Sequence, residues 1–354
     1  MTEIRVQLRD DKLEKPDAAS LQFGTEFTDH MFVADYSAEE GWHDARVIPY
    51  EPLTLDPAAI IFHYGQTVFE GLKAYLSDSN DVLLFRPEEN MRRLNRSCER
   101  MCMPQIDEAF ALKALKQLLS IDKDWIPTAE GTSLYIRPFM IATEPYLGVT
   151  ASKTYKFIII LSPVGSYYKE GIKPVKILVE NEFVRAVAGG TGTAKTAGNY
   201  AASMKAQETA EAEGYSQVLW LDGVEKKYVE EVGSMNVFFK IGDEVVTPEL
   251  NGSILEGVTR KSIIELLKHW DVPLVERKLS MAELKEAHAN GELKEAFGTG
   301  TAAVISPIGE LNWNGDQMIV NEGETGELST RLYDTLTKIQ LGEEEDVFNW
   351  VTKI

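Results

Sequence analysis

The stretch GGTGTAKTAGNY, residues 189–200, is the most informative part of this chain. Its single cationic side chain, Lys195, is flanked by residues too small to shield it. A lysine that reacts through its side-chain nitrogen needs open space of this kind, whereas a solvated surface lysine does not. The interpretation of this stretch therefore determines which fold and which chemistry the other residues must support.

The surroundings of Lys195 allow three interpretations. A phosphate-binding P-loop requires the pattern G-x-x-x-x-G-K-[ST]. Residues 189–196 nearly fit it, but Ala194 occupies the position of the glycine that lets the backbone close around the phosphates. A solvated lysine in a glycine-rich loop is the commonest fate of a lysine. The third interpretation is a lysine that forms a covalent imine with a carbonyl cofactor such as pyridoxal phosphate (PLP). The loop alone does not decide among them, so the partners of such a cofactor must be sought elsewhere in the chain.

Composition and charge exclude several classes of protein. The chain has 354 residues, of which 44% are hydrophobic and 26% charged, and the length predicts two domains. No apolar run approaches the roughly 20 residues that span a bilayer, and the N-terminus lacks a secretory signal, so we expect a cytoplasmic protein without membrane contact. The net charge of −20 disfavours nucleic acid as a partner.

Neither the cysteines nor the histidines form a metal-binding pattern. Cys98 and Cys102 lie four residues apart in a predicted helix, and we interpret them as two small apolar side chains on one helix face. The five histidines are scattered without ligand spacing. We therefore expect no catalytic metal, and the cysteine usage fits a reducing compartment.

The order of the predicted elements favours an α+β fold of two domains. In the second half, strands follow one another through turns such as that at 222–223, which should join strands at 218–221 and 227–229. Such hairpins predict mixed, largely antiparallel sheets and argue against the doubly wound nucleotide-binding fold. The expected bounds are a small N-terminal α/β domain at 1–164, a linker at 165–175 and a large C-terminal domain at 176–354.

PLP needs a separate partner for each of its polar groups. Its pyridine nitrogen requires a carboxylate. Glu230 and Glu231 stand at the end of a predicted strand, where alternation places one side chain inward and the other in solvent. We take Glu231, which is nearer the turn at 233–234, as the inward acid. Tyr200, five residues beyond Lys195, can hydrogen-bond the phenolate oxygen.

The phosphate of PLP requires backbone N–H groups at a helix start and a cation. Residues 255–260, LEGVTR, open a predicted helix through Gly257 and offer free amides, a hydroxyl and the positive end of the helix dipole. A second small-residue turn is predicted at 297–302, FGTGTA, before a strand. Arg92 and Arg93 are the candidates for the cation.

Taken in order along the chain, these residues closely resemble the branched-chain amino acid aminotransferases, which are PLP enzymes of fold type IV. The resemblance runs nearly from end to end. Its motifs are FGTEFTDHM (23–31), HYGQTVFEGLK (63–73), FRPEENMRR (85–93), YIRP (135–138), EPYLGV (144–149), PVG (163–165), GGTGTAKTAGNY (189–200), EVGSMN (231–236) and FGTGTA (297–302). Two departures are modest: Ser234 stands where some members have threonine, and AVIS at 303–306 replaces the Cys-x-x-Cys of animal relatives.

The resemblance implies a role for each candidate residue. Lys195 would bind the cofactor covalently as an imine and then move the proton between the substrate α-carbon and the cofactor. The other expected cofactor contacts are Glu231 at the pyridine nitrogen, Tyr200 at the phenolate oxygen, Ser234, Leu255 and Gly257 beside them, and Arg93, Val258, Thr259 and Thr301 at the phosphate. The substrate carboxylate would meet the backbone amides of Thr301 and Ala302 and the hydroxyl of Tyr135, with Arg137 nearby. The apolar side-chain pocket would be formed by Phe23, Tyr64, Phe69, Val149 and Tyr167.

The implied reaction is the reversible transfer of the amino group of leucine, isoleucine or valine to 2-oxoglutarate. The pocket must then also accept glutamate, so a polar group near Tyr64, Arg137 or Tyr167 must meet its second carboxylate. In the family, Tyr64 and Val149 tend to serve the partner subunit, so the resemblance implies a homodimer. A D-amino acid aminotransferase or an aminodeoxychorismate lyase remains the nearest alternative, and a P-loop nucleotide-binding protein a remote one.

Overall fold

The computed structural model describes residues 3–167 and 172–354. Residues 168–171, which belong to the linker predicted at 165–175, lie outside the described residues. The chain divides into two compact units. The first unit consists of residues 3–167, 194–197 and 338–354, and the second unit of residues 172–193 and 198–337.

Each unit is built around a β-sheet. In chain order the strands are β1 (Arg5–Val6), β2 (His30–Ser37), β3 (Gly41–Pro49), β4 (Thr67–Phe69), β5 (Leu72–Leu76), β6 (Val82–Phe85), β7 (Ser133–Ala142), β8 (Thr154–Val164), β9 (Val175–Val179), β10 (Gln217–Leu221), β11 (Val229–Val232), β12 (Asn236–Ile241), β13 (Glu244–Thr247), β14 (Leu274–Glu276), β15 (Leu293–Gly300), β16 (Val304–Trp313), β17 (Asp316–Ile319) and β18 (Val351–Lys353). The α-helices are α1 (Ile60–Tyr64), α2 (Pro87–Arg100), α3 (Glu108–Ile121), α4 (Ala197–Ala212), α5 (Val258–His269), α6 (Met281–Ala289) and α7 (Glu327–Leu341).

The sheet of the first unit has the strand order β1-β3-β2-β8-β7-β5-β6-β18, with β4 paired to β7. Its pairs are antiparallel except β1 with β3. The apolar run at 157–161 lies in the central strand β8, where Phe157 and Ile159 face one core cluster and Ile158 faces another. A strand that is covered on both faces needs such a continuous apolar sequence.

Helices α2 and α3 supply much of the core on one face of this sheet. Asp107 begins α3, because its side chain accepts a hydrogen bond of 2.7 Å from the backbone N–H of Phe110. The buried residues of α3 recur with helical spacing and form one apolar stripe: Phe110, Ala111, Ala114, Leu115, Leu118 and Leu119. Proline at the first position of α2 starts that helix without losing a hydrogen bond.

The sheet of the second unit has the order β11-β10-β9-β16-β15-β12-β13-β14, with β17 paired to β16. The parallel pairs are β9 with β10, β9 with β16, and β13 with β14, and the remaining pairs are antiparallel. Both sheets are therefore largely antiparallel and accompanied by helices, so the predicted α+β fold class is confirmed.

The predicted hairpin around 222–223 forms, since β10 and β11 pair antiparallel, but its second strand begins at Val229 and not at residue 227. A seven-residue connection, 222–228, joins the two strands. The carboxylate of Asp222 organises this connection, because it accepts backbone N–H groups from four residues: Val224, Glu225, Lys227 and Tyr228. A side chain that bonds its own following backbone competes with the tight turn that the sequence pattern predicted.

The small-residue stretch at 297–302 is also not a turn throughout. Residues 297–300 are the end of β15, which is paired with both β12 and β16. Gly298 and Gly300 are needed for packing, because a Cβ at either position would press on the side chain of Met235. Only the residues after Gly300 form the turn into β16.

The interpretation of Cys102 as a helical residue is wrong as well. Helix α2 ends at Arg100, and Cys102 has a left-handed φ of 54°. The N–H of Cys102 donates to the carbonyl of Glu99 and the N–H of Met103 to the carbonyl of Cys98, which is the Schellman ending of a helix. Glycine usually occupies this left-handed position, so no residue in the sequence marks this helix end. Cys98 is buried and Cys102 exposed.

Among the described residues, no helix has both the length and the apolar character needed to cross a bilayer.

Candidate functional site

Lys195 is held in the first unit by its backbone. Its N–H donates to Oγ of Ser97 over 2.9 Å, and its carbonyl accepts the N–H of Phe69 over 3.0 Å. The next residue, Thr196, forms an isolated antiparallel bridge with Val68, and its hydroxyl donates to the carbonyl of Thr67. The residue that the sequence singles out is thus attached to the edge of β4, and its backbone position does not depend on its own side chain.

The amine of Lys195 belongs to a cluster of aromatic and cationic side chains in the first unit. Its Nζ lies 4.8 Å from the ring centroid of Phe69, and Cζ of Arg137 lies 4.8 Å from the same centroid. Nη2 of Arg137 donates to the hydroxyl of Tyr135 over 3.1 Å, and the ring of Tyr135 meets that of Phe23 edge-on. The structure therefore brings together five of the residues predicted for the site.

Gly71 makes room for this cluster. A Cβ at Gly71 would overlap the hydroxyl of Tyr135, although the glycine has no positive φ. The second glycine of the motif at 63–73 is therefore required by the close approach of Tyr135 and not by a turn.

Arg93, predicted to bind phosphate, forms a buried ion pair with Glu70. Nε of Arg93 lies 2.7 Å from Oε1 of Glu70, and Nη2 lies 2.9 Å from Oε2. Burial acts to raise the pKa of the Glu70 carboxyl. The charge and hydrogen bonds of Arg93, the charge of Lys195 and the amide of Asn90 outweigh burial and hold the pKa below its ordinary value. Arg92, the other candidate cation, is exposed and pairs with Glu89.

Sequence reasoning missed Glu70, although the residue lies within a quoted motif. The signal that could have found it is a carboxylate between apolar strand residues, since such a residue is rarely buried unless it is paired. The pairing residue is far along the chain and could not be inferred from spacing.

Three of the predicted pocket residues lie on exposed parts of the first unit. Tyr64 ends α1, and its hydroxyl donates to the carbonyl of Leu147. Val149 is 86% exposed, and Tyr167 is half exposed. Two neighbouring aromatic side chains are also exposed: Phe62 lies near Tyr64 in α1, and Tyr146 lies near Val149.

The second unit fixes Glu231 as a buried, hydrogen-bonded carboxylate. Oε1 of Glu231 accepts the backbone N–H of Leu255 over 2.7 Å, and Oε2 lies 3.2 Å from Nε of Arg185. Arg185 is also buried and donates from Nη2 to the carbonyls of Ser253 and Gly192. Sequence reasoning missed Arg185, which shows no pattern that distinguishes it from a surface arginine.

The prediction that Glu230 is solvated is wrong. Glu230 and Glu231 are each 3% exposed, because both faces of β11 are covered. Oε1 of Glu230 accepts hydrogen bonds from the amide of Asn251 and the hydroxyl of Ser253. Strand alternation correctly predicts that the two acids lie on opposite faces of β11, but it does not predict whether the second face is exposed to solvent.

The N-terminus of α5 presents backbone amides with no side-chain cap. Gly257 is the cap residue, and its N–H donates to Oδ1 of Asn236 over 3.1 Å. Nδ2 of Asn236 donates in turn to the carbonyl of Leu255. The amides of Val258 and Thr259 begin the helix and have no intrahelical partner by its geometry. With no acidic residue in its first turn, α5 offers a positive helix end to an anion.

The turn that carries Thr301 and Ala302 ends in a strained residue. Val304 has a φ of +62°, which a β-branched residue rarely adopts, and the N–H of Ile305 donates back to the carbonyl of Ala303. Strain of this kind persists only where the surrounding structure imposes it, and it is concentrated at functional sites. Thr301 and Ala302 are both half-buried.

Thr299 is a further polar residue that the sequence did not single out. Its hydroxyl is buried and has no hydrogen-bond partner among the described residues. Thr299 is directly opposite Asn236 in the pairing of β15 with β12, so both side chains lie on the same face of the sheet. That face carries the start of α5, because Asn236 binds Gly257 and Leu255 there.

The two remaining predicted cofactor residues lie in the second unit. Tyr200 is half-buried in the first turn of α4. Ser234 is exposed in the turn between β11 and β12, where Val232 and Met235 exchange backbone hydrogen bonds.

Comparisons with known proteins identify the family. The chain is 68% identical over 351 residues to branched-chain-amino-acid aminotransferase 2 of Bacillus subtilis, covering 99% of this chain and 97% of that protein. It is 61% identical to branched-chain-amino-acid transaminase 1 of the same organism, with 96% of each covered.

Solved structures share the fold. The branched-chain aminotransferase of Thermoproteus uzoniensis with norvaline superposes with a TM-score of 0.76 at 27% identity, covering 92% of this chain and 99% of that one. The branched-chain amino acid aminotransferase of Escherichia coli gives a TM-score of 0.73 at 26% identity, with 92% and 98% covered. The family model described as amino-transferase class IV matches residues 67–311, and the chain therefore belongs to the class IV aminotransferases.

Proposed function

We propose that this chain is a PLP-dependent transaminase that transfers the amino group of L-leucine, L-isoleucine or L-valine to 2-oxoglutarate, reversibly. The products are the branched-chain 2-oxo acids and L-glutamate. Relatives that bear the name of this activity match almost the whole chain at 68% and 61% identity. The observation that carries the proposal is the amine of Lys195, which is fixed by its backbone beside Phe69 and Arg137.

The donor groups of the chain fit PLP. We propose the amine of Lys195 as the covalent attachment and the carboxylate of Glu231 as the partner of the pyridine nitrogen. The expected phosphate contacts are the guanidinium of Arg93, the start of α5 with Gly257, Val258 and Thr259, and the hydroxyl of Thr301. Tyr200, Ser234 and Leu255 complete the proposed cofactor set. An unpartnered buried hydroxyl at Thr299, on the same face of the sheet as the start of α5, supports the presence of a polar ligand there.

Bound PLP would supply an electron sink for the bond that breaks at the substrate α-carbon. The residues of the chain hold and move the proton. Nζ of Lys195 would take the proton from the substrate α-carbon and hold it for its return. Glu231 would face the pyridine nitrogen with a carboxylate that the N–H of Leu255 and the ion pair with Arg185 hold in place.

Arg137 is the proposed partner of a substrate carboxylate. Its guanidinium lies against two aromatic rings and donates to Tyr135, and its buried Nε has no hydrogen-bond partner among the described residues. A half-buried cation of this kind is stabilised by an incoming carboxylate, which the second carboxylate of glutamate would supply. Phe23, Phe69 and Tyr167 would form the apolar part of the pocket, and Ala302 with Thr301 would bind the other carboxylate through backbone amides.

The functional unit is proposed to be a homodimer. Tyr64 and Val149 lie on exposed segments together with Phe62, Tyr146 and Leu147, so this surface has the apolar character of a protein interface. The resemblance places Tyr64 and Val149 at the partner's pocket. We also propose a cytoplasmic location, which rests on the sequence alone.

The proposal can be tested by two measurements on the purified protein. Transamination of L-leucine with 2-oxoglutarate should be rapid, and D-alanine should be a poor substrate. Equal or greater turnover of D-alanine would favour a D-amino acid aminotransferase. Borohydride reduction followed by peptide mapping should then find the phosphopyridoxyl group on Lys195, and its attachment to another lysine would overturn the assignment. A protein that binds no PLP would favour the P-loop alternative.

A further inference from the structure

We propose that Glu70 is a positioning residue for the cofactor phosphate, which it serves through Arg93 without touching the cofactor itself. This inference rests on the proposed function, since it assumes that Arg93 binds the phosphate of PLP. Nothing in the resemblance or in the names of the relatives assigns a role to Glu70.

The geometry of the pair fixes the orientation of the guanidinium. Glu70 takes the Nε edge of Arg93 with two nearly parallel hydrogen bonds of 2.7 and 2.9 Å. Because a guanidinium is planar and carries its donors in a rigid fork, a bidentate contact on one edge determines where the remaining N–H groups point. Glu70 therefore decides which direction Arg93 can offer to a phosphate.

Glu70 itself is held in place from several sides. It is completely buried, and its Oε2 also accepts the amide of Asn90 over 2.8 Å and the backbone N–H of Gly71 over 3.2 Å. Asn90 additionally donates to the carbonyl of Gly71. The carboxylate is thus tied to the backbone between β4 and β5, and it cannot follow Arg93 if the guanidinium moves.

Helix α2 connects this arrangement to Lys195. Asn90, Arg93 and Ser97 recur at helical spacing and are all buried, so they form one polar stripe on a helix face that is otherwise apolar. Asn90 and Arg93 bind Glu70, and Ser97 accepts the backbone N–H of Lys195. A single rigid helix therefore carries both the proposed phosphate cation and the anchor of the reactive lysine.

The charge of Glu70 explains why a carboxylate is used and not an amide. A buried guanidinium without a counter-charge is costly, whereas a bidentate carboxylate compensates it in the absence of ligand. Glu70 therefore keeps Arg93 ordered before the cofactor binds, which lowers the conformational entropy cost of binding.

The test compares PLP with pyridoxal, which lacks the phosphate. The full-length chain is stripped of cofactor, and the dissociation constants of both compounds are measured by quenching of tryptophan fluorescence. In Glu70→Gln the dissociation constant of PLP should rise about tenfold or more, as is typical when an outer partner of a ligand-binding residue is removed. That of pyridoxal should change by less than about twofold. Glu70→Asp, which keeps the charge, should recover part of the loss.

Glu295→Gln is the matched control. Glu295 is another buried carboxylate, 5% exposed, and it caps α7 by accepting the N–H groups of Leu328 and Ser329. Its replacement should lower thermal stability without changing the ratio of PLP to pyridoxal affinity. The same change of ratio in Glu70→Gln and Glu295→Gln would show a merely structural role and overturn the inference.

A double-mutant cycle separates the inference from the proposed function. In an Arg93→Gln background, Glu70→Gln should cause no further loss of PLP affinity, because Glu70 acts through Arg93. Additive losses would overturn the inference while leaving the proposed function intact. Failure of the unaltered chain to bind PLP at all would overturn the proposed function, and with it the role proposed for Glu70.

Discussion

Nε of Arg185 lies 3.2 Å from Oε2 of Glu231, and both side chains are less than one-tenth exposed. The charge of Arg185 thus lies beside one carboxylate oxygen, and the backbone N–H of Leu255 donates to the other. Groups of the protein therefore face both oxygens of the Glu231 carboxylate.

We predict that Arg185→Gln impairs amino transfer although Arg185 has no proposed contact with the cofactor. Removing one partner of a buried ion pair leaves a buried charge uncompensated, at a cost of about 3–5 kcal/mol in the free energy of unfolding. The rate constant kcat for L-leucine should fall at least about tenfold, because the orientation of a ligand-binding group depends on its outer partners. Arg277→Gln, which breaks a more exposed pair with Glu283, is the control and should keep kcat within about twofold. An unchanged kcat in Arg185→Gln would contradict the prediction.

The start of α5 should be sensitive to a single methyl group at Gly257. The backbone of Gly257 has φ −72° and ψ 138°, which alanine adopts freely, so strain plays no part. The Cβ of alanine would overlap Oδ1 of Asn236 and displace the amide that holds this helix end. Gly257→Ala should therefore weaken binding of PLP, measured on the stripped protein, by about tenfold.

Gly198→Ala is the matched control for that substitution. Gly198 is the second residue of α4, and a Cβ there meets nothing within 4 Å. The substitution should raise the free energy of unfolding by about 0.5–1 kcal/mol, because it restricts the unfolded chain and favours the helix. If both variants bound PLP equally well, the contact of Gly257 with Asn236 would not matter for the cofactor.

Lys73 should make the stability of the protein depend on pH in the alkaline range. Burial lowers the pKa of Lys73 from its ordinary 10.5 to about 8. Between these values the unfolded chain binds a proton that the folded chain does not, so the free energy of unfolding rises with pH there. Below about pH 8 the full cost of burying the charge is present.

Lys73→Met should therefore stabilise the protein at neutral pH. We expect an increase in the free energy of unfolding of about 1–3 kcal/mol at pH 7, which shrinks as the pH rises from about 8 towards 10.5. Urea titrations at neutral pH and near the top of this range measure the difference. Lys205→Met removes an exposed lysine instead and should have an effect below about 0.5 kcal/mol. An advantage of Lys73→Met that stayed constant with pH would contradict the assignment.

The two cysteines should differ in reactivity. Burial raises the pKa of the Cys98 thiol to about 12, so the thiolate that reacts with disulfide reagents is scarcely populated. Cys102 is exposed beyond the end of α2. The native protein should titrate as one thiol and the denatured protein as two, and Cys102→Ser should remove the native reaction. Reaction of both thiols in the native state would show that Cys98 opens to solvent.

The sequence predicts the elements whose signals are local. The sequence at 327–341 predicts a helix, and α7 has those bounds. The apolar run at 157–163 predicts a buried strand by its length, and it lies within β8. The importance of the segment around Lys195 also follows from the sequence, since small residues around one lysine form a local pattern.

The sequence does not predict partners that are distant along the chain. Glu70 and Arg93 are separated by 23 positions, and the ion pair of Arg185 with Glu231 spans an even longer segment. The burial of Glu230 follows from a covering segment near Asn251, which the alternation of one strand cannot reveal. The end of α2 at Arg100 has no glycine signal, because Cys102 takes the left-handed position itself. In the three cases of the buried acids the deciding interaction is tertiary, whereas the end of α2 is local but lacks its usual residue.

The bridge between Thr196 and Val68 means that strand register determines where the amine of Lys195 lies. Insertions or deletions in the loop before Ala194 change the length of that loop, but they leave the pairing of Thr196 with Val68 intact. A deletion within residues 194–197 has a different result, because a shift of one position in a β-pairing turns each side chain to the opposite face. Among related proteins, insertions and deletions should therefore accumulate in the glycine-rich residues that precede Ala194. A change of one residue beside Lys195 would leave the amine present in the sequence and absent from the site.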